Sequence, residues 1–346
     1  MKIVLFFVSL ISMTQLLSAQ EFKDAGEYLT YVSKIEKPIS KEMWKYTKTV
    51  AHSKSAKRID NVRKNLIKTI QTAKATLEKN TNGFNGDLEF RDQVIDYFSF
   101  SELMIKEEYA KIIDLQEIAE QSYDYMEAYI TTRELVNDKI DAEHEKLDAA
   151  QQAFAAKYKV NLLESAEDTD IEKKMKISGD VFKYHSNLYL IFFKCNYTDV
   201  LLDSSIKNKD IAAIQQNANA LQQYAEEGIA KITEFAPIEG DKTLANETIK
   251  CMEMYQKIAS EYAPKMIDFY TFNAKFEDAK VSLERKSEKE RTKEELDNYN
   301  QMVKEINHKI NDYNKANSDV TNMRNTYINK WNVTGEQYIS KHVPSE

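Results

Sequence analysis

The chain has 346 residues, of which 42% are hydrophobic and 30% charged, enough for at least one buried core and, by length, about two domains. With only 7 Gly and 4 Pro it lacks the turn residues of a sheet protein with many hairpins, and it is neither collagen-like nor a Pro-rich disordered chain. The chain has 48 basic and 56 acidic residues, which give a net charge of −8. A broad nucleic-acid-binding surface is therefore not expected.

The N-terminus has the pattern of a secretory signal. Lys2 supplies a positive charge and residues 3–17 are mostly apolar. Ser18-Ala19-Gln20 follows with the small residues of a signal-peptidase cleavage site. The apolar run is shorter than the roughly 20 residues that a membrane span needs. We therefore predict a signal peptide over residues 1–19, with an uncleaved anchor as the alternative. The mature chain should be exported to the periplasm, cell surface or medium, without a transmembrane segment.

The first part of the mature chain is predicted to be helical almost throughout. A helix is expected over 22–54 with a break or kink at Pro38, and a second over 57–79. Residues 88–160 contain neither Gly nor Pro, so we expect the chain to turn back near 114–121. The apolar residues of one helical face here are Val94, Phe98, Ile105, Tyr109 and Ile112.

An internal repeat relates the two halves of the chain. Matches recur at offsets between 153 and 155, and a constant offset is not expected by chance. The matched pairs include Gly26 and Gly179, Gly86 and Gly240, Ile95 and Ile249, Tyr109 and Tyr262, and Asp114 and Asp268. We predict a diverged tandem duplication with units 20–165 and 166–346, joined by the acidic stretch 164–170.

The second unit ends in the most regular helix of the chain. Its mid-unit loop is expected at 236–240, and the charge run 284–295 is predicted to be the tip of a helical hairpin. Beyond it, apolar residues alternate in steps of three and four: Leu296, Tyr299, Val303, Ile306, Ile310 and Tyr313. This spacing is typical of long helices in a left-handed bundle. The predicted fold is all-α, with two tandem, diverged antiparallel four-helix bundles.

Metal-binding patterns are present but weak. Helical bundles can hold metals with Glu-x-x-His pairs, and Glu305 and His308 have that spacing but should face solvent. Asp141 and His144 form a weaker version at the edge of an apolar stripe, and His185 is interpreted as a core histidine. We predict no metal and no cofactor; His144, Asp141 and His185 are ligands only in an alternative interpretation.

No motif for catalysis was found. The chain has no Gly-x-Ser-x-Gly, no phosphate-binding Gly-rich loop and no His-Glu-x-x-His. Asp168-Thr169-Asp170 begins like a calcium loop but lacks the central Gly and the later Glu. The protein is therefore predicted not to be an enzyme, with no catalytic residue.

The two cysteines and one aromatic segment leave alternatives open. Cys195 and Cys251 both fall among apolar residues, which favours two buried thiols; a single disulfide between neighbouring helices is the alternative. Tyr123, Tyr125 and Tyr129 lie close together on more than one helical face. Packing inside a bundle is the simpler interpretation, and a partner-binding surface is the functional one.

The export signal ending in Ser18-Ala19-Gln20, the duplicated helical units and the absence of a catalytic motif resemble a known group. It is an uncharacterised family of secreted or surface all-helical proteins of spirochaetes and Bacteroidota. The resemblance implies export to the cell envelope and no established activity, and it gives no functional residues.

The leading hypothesis is an exported, non-enzymatic helical-bundle protein that binds an unknown envelope or extracellular protein or has a structural role. The alternative is a carrier or sensor that binds a metal, haem or small ligand inside one bundle, with His144 or His185 as ligands.

Overall fold

The computed structural model describes residues 22–53, 55–108, 118–162 and 166–345. Over these ranges the fold is all-α as predicted, with no strand. No helix within them is long and apolar enough to cross a membrane. The predicted signal peptide lies outside the described residues, as do Tyr109, Asp114 and part of the acidic join.

Within the described residues, the first half contains four helices. They are α1 (Ala25–His52), α2 (Ala56–Glu78), α3 (Glu89–Leu103) and α4 (Tyr123–Tyr158). Pro38 lies within α1 without ending it. A π turn, Met104–Glu108, follows α3 directly. Ser122 caps α4 by accepting a hydrogen bond from the Tyr125 N–H at 3.2 Å. The helix α4 runs back along α3, since Tyr97 lies beside His144 and Phe90 beside Phe154.

The second half contains α5 (Ala166–Lys207), α6 (Ile211–Ile232), α7 (Thr243–Lys257), α8 (Ala263–Glu284) and α9 (Lys293–His342). A π turn, Ile258–Tyr262, joins α7 to α8 without a loop. The charge run is the hairpin tip as predicted, because α8 ends at Glu284 and α9 begins at Lys293. A capping box between Thr292 and Glu295 starts α9.

Two large clusters of buried apolar side chains form the interior. One comprises residues of α1 to α4, including the fully buried Tyr28 and Leu66. The other comprises residues of α5 to α9, including Leu188 and Tyr255. A smaller cluster around Phe193 joins α4 to α5. The four-helix count of each predicted unit and the boundary at 165 remain predictions.

Corresponding features recur in the two halves. The helices α3 and α7 begin at residues 89 and 243, and their π turns begin at 104 and 258, an offset of 154 in both cases. In α1 and α5 the offset differs, since buried Tyr28 and Val32 correspond to buried Tyr184 and Leu188, 156 residues later. Gly26 and Gly179, which the sequence pairs at 153, therefore occupy different positions.

Candidate functional site

The feature that most distinguishes the two halves is a two-helix arm, residues 271–305, at the end of the α8–α9 hairpin. Tyr270 and Ile306 are buried, but no residue between them is. The arm therefore extends beyond the interior of the second half. It contains 8 basic and 9 acidic residues, so it is nearly neutral in a chain of net charge −8.

An apolar seam holds the two helices of the arm together. The rings of Phe276 and Tyr299 stack with centroids 5.6 Å apart. Val281 and Leu296 are 43% and 39% exposed. Two helices alone shield the apolar side chains between them only in part, so one side of the seam remains open to solvent. Arg291 fastens the tip by donating hydrogen bonds from Nε to the carbonyl oxygen of Leu283 at 3.1 Å and to that of Lys286.

The arm corresponds to a difference in hairpin length between the halves. In the first half, Asp87 accepts a hydrogen bond from Lys157, 70 residues later. In the second half, Asp241 accepts one from Lys341, 100 residues later. Since the π turns keep the offset of 154, about 30 additional residues lie between the second π turn and the end of α9, where the arm is found.

Tyr123, Tyr125 and Tyr129, for which packing and a partner-binding surface were both considered, lie mainly at an internal contact. Tyr123 and Tyr129 pack around Phe193 of α5, and the Lys194 ammonium lies 5.4 Å from the centroid of the Tyr123 ring. Tyr125 is 46% exposed. Two of the three rings therefore join α4 to α5, and only the third faces solvent.

The histidines of the alternative ligand set lie in different surroundings, His144 at the surface and His185 in the interior. His144 is 46% exposed and its Nδ1 lies 3.3 Å from a carboxylate oxygen of Asp148, while burial raises the pKa of Asp141. His308 is 78% exposed beside Asp312, as the heptad position predicted. Within the described residues, no group of three or more His, Cys, Asp or Glu is placed to hold a metal.

His185 lies in the interior against α9. Its ring centroid is 5.8 Å from that of Trp331. Its Nε2 faces the backbone of α9 so closely that a Cβ added at Gly335 would be 3.0 Å away. Burial, with a smaller contribution from Arg133, lowers the pKa of His185 to about 4, so the ring is neutral near pH 7.

Cys195 and Cys251 are both buried and both free. The structure thus has two buried thiols, and the disulfide considered from the sequence stays a prediction for experiment. Cys251 Sγ donates to the Tyr327 carbonyl oxygen at 3.6 Å. Burial raises the pKa of each thiol to about 12, which makes both unreactive in the folded protein.

Sequence reasoning missed a buried ion pair in the second half. Arg324, which interrupts the heptad of α9, donates to both oxygens of Asp199 at 2.7 and 2.6 Å. Burial raises the pKa of the Asp199 carboxyl, and Arg324 opposes that shift. The sequence did offer a signal for this ion pair. Arg324 is a charged residue within the apolar heptad pattern of α9, and a charge at such a position needs a buried partner.

No protein-family model matches the chain, and neither a curated protein nor a solved structure does. The function proposed below therefore depends on this chain's own sequence and geometry. The resemblance to the group of spirochaete and Bacteroidota proteins remains a prediction.

Proposed function

We propose that the protein is an exported, non-enzymatic helical-bundle protein that serves as a protein-binding or structural module of the bacterial cell envelope or surface. Within that function, the arm is the element that binds, and its partner is the arm of a second copy. One observation carries the proposal: residues 271–305 form a paired helical hairpin with an apolar seam, yet none of their side chains is buried.

The seam gives the physical reason for association. Val281 and Leu296 expose about two fifths of their surface, and covering apolar surface is favourable by about 25 cal/mol per Å². Two arms placed side by side make four helices, and four helices can enclose a seam that two leave open. The contact is self-complementary when the copies are related by a two-fold axis.

The charge of the arm favours a second copy over a strongly charged partner. Its 8 basic and 9 acidic residues almost cancel, so two arms do not repel each other by net charge. An oppositely charged partner would find no field of one sign to steer it.

The size of the arm sets the expected affinity. Each arm helix is about 20 Å long at 1.5 Å per residue, and packed helices lie about 10 Å apart. The face of one arm therefore measures roughly 400 Å² in outline. Two such faces bury about 800 Å² before surface roughness is added, which is at the low end for a specific interface. The expected dimer is weak, with a micromolar dissociation constant.

Sedimentation velocity over a concentration series tests this dimer. The purified protein should pass from monomer to dimer between low and several hundred micromolar. Val281→Lys and Leu296→Lys should weaken the dimer at least tenfold. Val200→Lys and Val333→Lys are matched controls, because these valines are 56% and 51% exposed away from the arm; they should leave dimerisation unchanged. A protein that stays monomeric throughout, or that loses its dimer equally in the controls, contradicts the proposal.

Export is tested separately by the intact mass of the protein purified from its own host. A chain that begins at Gln20 supports a cleaved signal. A chain that begins at Met1 would contradict it. The carrier alternative gains no support from geometry, since His144 pairs with Asp148 at the surface and His185 faces the backbone of α9.

A further inference from the structure

Positive charge is concentrated in the hairpin that α1 and α2 form in the first half. Residues 34–79 contain 13 basic and 4 acidic residues, whereas the rest of the chain contains 35 basic and 52 acidic residues. Between residues 43 and 77 the sequence has nine basic residues and a single acidic one, Asp60. The hairpin is therefore strongly cationic in a chain whose net charge is −8.

The basic residues of α2 lie on the side away from the interior. Lys57, Lys64 and Lys68 follow one another at intervals of seven and four residues, which places them on one helical face. The opposite face of α2 carries the fully buried Leu66 and Ile70. The ammonium groups of this helix are thus presented to solvent.

The helix α1 has the same arrangement. Lys45 and Lys48 lie on the face opposite buried Val32, and the side chain of Lys45 is 50% exposed. Because α1 ends at His52 and α2 begins at Ala56, the two helices run antiparallel and pack side by side. Together their outward basic residues form what we call the basic face: Lys45, Lys48, Lys57, Arg58, Lys64 and Lys68.

Much of this charge has no acidic neighbour. Asp60 pairs with Lys64, whose side chain remains 66% exposed. No carboxylate of the described residues forms a salt bridge with Lys57, Arg58 or Lys68, all of which are exposed. Charges of one sign on adjacent helices repel each other and disfavour the compact state. Their accumulation on one surface therefore indicates a negatively charged partner.

The second half shows that the fold does not require this charge. The helix α6 follows the first helix of that half as α2 follows α1. It contains one basic residue, Lys231, and two acidic ones, Glu226 and Glu227. Both helices nevertheless bury an apolar face, with Leu66 in α2 and Leu221 in α6 fully buried. Packing therefore does not explain the basic face.

We propose that the basic face binds peripherally to the surface of an anionic membrane, through the phosphate groups of its lipids. A lysine ammonium suits phosphate as a compact point charge. A membrane presents phosphates as an extended planar array, which two adjacent helices can meet with one side, and clusters of basic residues are attracted to it. Trp44 and Tyr46 of α1 are buried, so the attraction is electrostatic and does not depend on inserting these rings into the lipid.

Other anionic partners fit this face less well. Protein–protein interfaces are depleted in lysine and enriched in aromatic residues, whereas Trp44 and Tyr46 are turned to the interior. Proteins that hold single-stranded nucleic acids stack the bases on exposed aromatic rings. A long duplex would extend beyond the basic face, where acidic residues outnumber basic ones by 52 to 35 and repel it.

Co-sedimentation with lipid vesicles tests the proposal on the unmodified protein. We expect binding to vesicles of equal parts phosphatidylglycerol and phosphatidylcholine in low salt. Binding to vesicles of phosphatidylcholine alone should be at least tenfold weaker, because those vesicles carry no net charge. Binding to the anionic vesicles should also weaken at least tenfold when the salt is raised from about 50 to about 300 mM, since salt screens the attraction.

A triple variant tests the residues of the face. It removes three charges at exposed positions: Lys57→Gln, Lys64→Gln and Lys68→Gln. Binding to the anionic vesicles should weaken at least tenfold. The matched control removes the same charge at exposed positions elsewhere and should bind as the unmodified protein does: Lys231→Gln, Lys265→Gln and Lys315→Gln. Circular dichroism establishes that both variants are folded.

The proposal is overturned if the unmodified protein does not bind the anionic vesicles in low salt, if it binds both kinds of vesicle equally, or if the folded variant of the basic face binds normally. Tighter binding to duplex DNA or to polyglutamate than to the anionic vesicles, at the same salt, would overturn it in favour of a nucleic acid or an acidic protein. Because the basic face and the arm share no residue, failure here leaves the dimer test unaffected.

Discussion

Some polar side chains in the interior of this protein are paired with one another between helices. Trp331 donates from Nε1 to the Thr248 hydroxyl at 2.9 Å, and the Tyr255 hydroxyl donates to Asn196 Oδ1 at 3.0 Å. Buried polar atoms need such partners because an unmet hydrogen bond in the interior is costly. The first contact joins α9 to α7, and the second joins α7 to α5.

At the residue scale, His185 should make the protein acid-sensitive. Burial lowers the pKa of His185 to about 4, from 6.5, so between these values the unfolded chain binds more protons than the folded one. The free energy of unfolding should therefore fall as pH decreases through this window, by about 1–3 kcal/mol in total. Urea unfolding at several pH values measures this loss.

Replacement of the ring should reduce that sensitivity. In His185→Gln, the fall in unfolding free energy between neutral pH and pH near 4 should be smaller than in the unmodified protein. His308→Gln is the control, since His308 is 78% exposed. Equal pH profiles for His185→Gln and the unmodified protein would refute this assignment.

The cysteines give a second prediction at this scale. Because Cys195 and Cys251 are free, buried and of raised pKa, neither should react with a thiol-specific disulfide reagent in the native protein at pH 8. Both should react once the protein is unfolded in guanidinium. Absorbance at the end of each reaction counts the thiols. If unfolding releases no thiol until a reductant is added, a Cys195–Cys251 disulfide is present after all.

At the element scale, packing between helices is decided by small residues as well as large ones. In α6, a Cβ added at Gly228 would lie 2.7 Å from Ile191 of α5 and 3.1 Å from Met252 of α7. Glycine at this position therefore allows α6 to approach both neighbours closely. Gly179 of α5 has open space around it, with nothing within 4 Å of an added Cβ.

These two glycines should respond in opposite directions to alanine. Gly228→Ala should lower the free energy of unfolding by about 1–3 kcal/mol through overpacking. Gly179→Ala should raise it by about 0.5–1 kcal/mol, since alanine costs a helix less backbone entropy than glycine. Urea unfolding of both variants measures the changes, and a stabilised Gly228→Ala protein would show that α6 packs less tightly than described.

At the scale of the whole molecule, stability should be lowest in the arm. Residues 271–305 contain no buried side chain, whereas α7 contains the fully buried Leu244, Cys251 and Met252. Segments with few buried contacts open more readily than the core. Hydrogen exchange followed by mass spectrometry, at a concentration low enough to keep the protein monomeric, should show the arm exchanging well before α7.

An arm protected as strongly as α7 would mean that another part of the chain covers it. Protection of the arm that increases with protein concentration would instead agree with the proposed dimer. The same measurement therefore separates a covered arm from a self-associating one.

The amino-acid sequence alone determined the helical content, the hairpin tip at 284–295 and the exposure of His308. These are local properties, since the spacing of apolar residues records which face of a helix avoids water. The sequence also predicted a repeat with offsets of 153 to 155, but in α1 and α5 the buried residues, such as Tyr28 and Tyr184, correspond at an offset of 156.

Only the tertiary structure decided which helix covers which face. It places Tyr123 and Tyr129 against α5, gives Arg324 its partner Asp199, and leaves one oxygen of Glu247 without a donor. Such contacts join residues far apart in the chain. Each of them depends on which helices pack against one another and on the faces that they bury. A periodic pattern identifies an apolar face, but the surface that covers it is set by packing across the whole molecule.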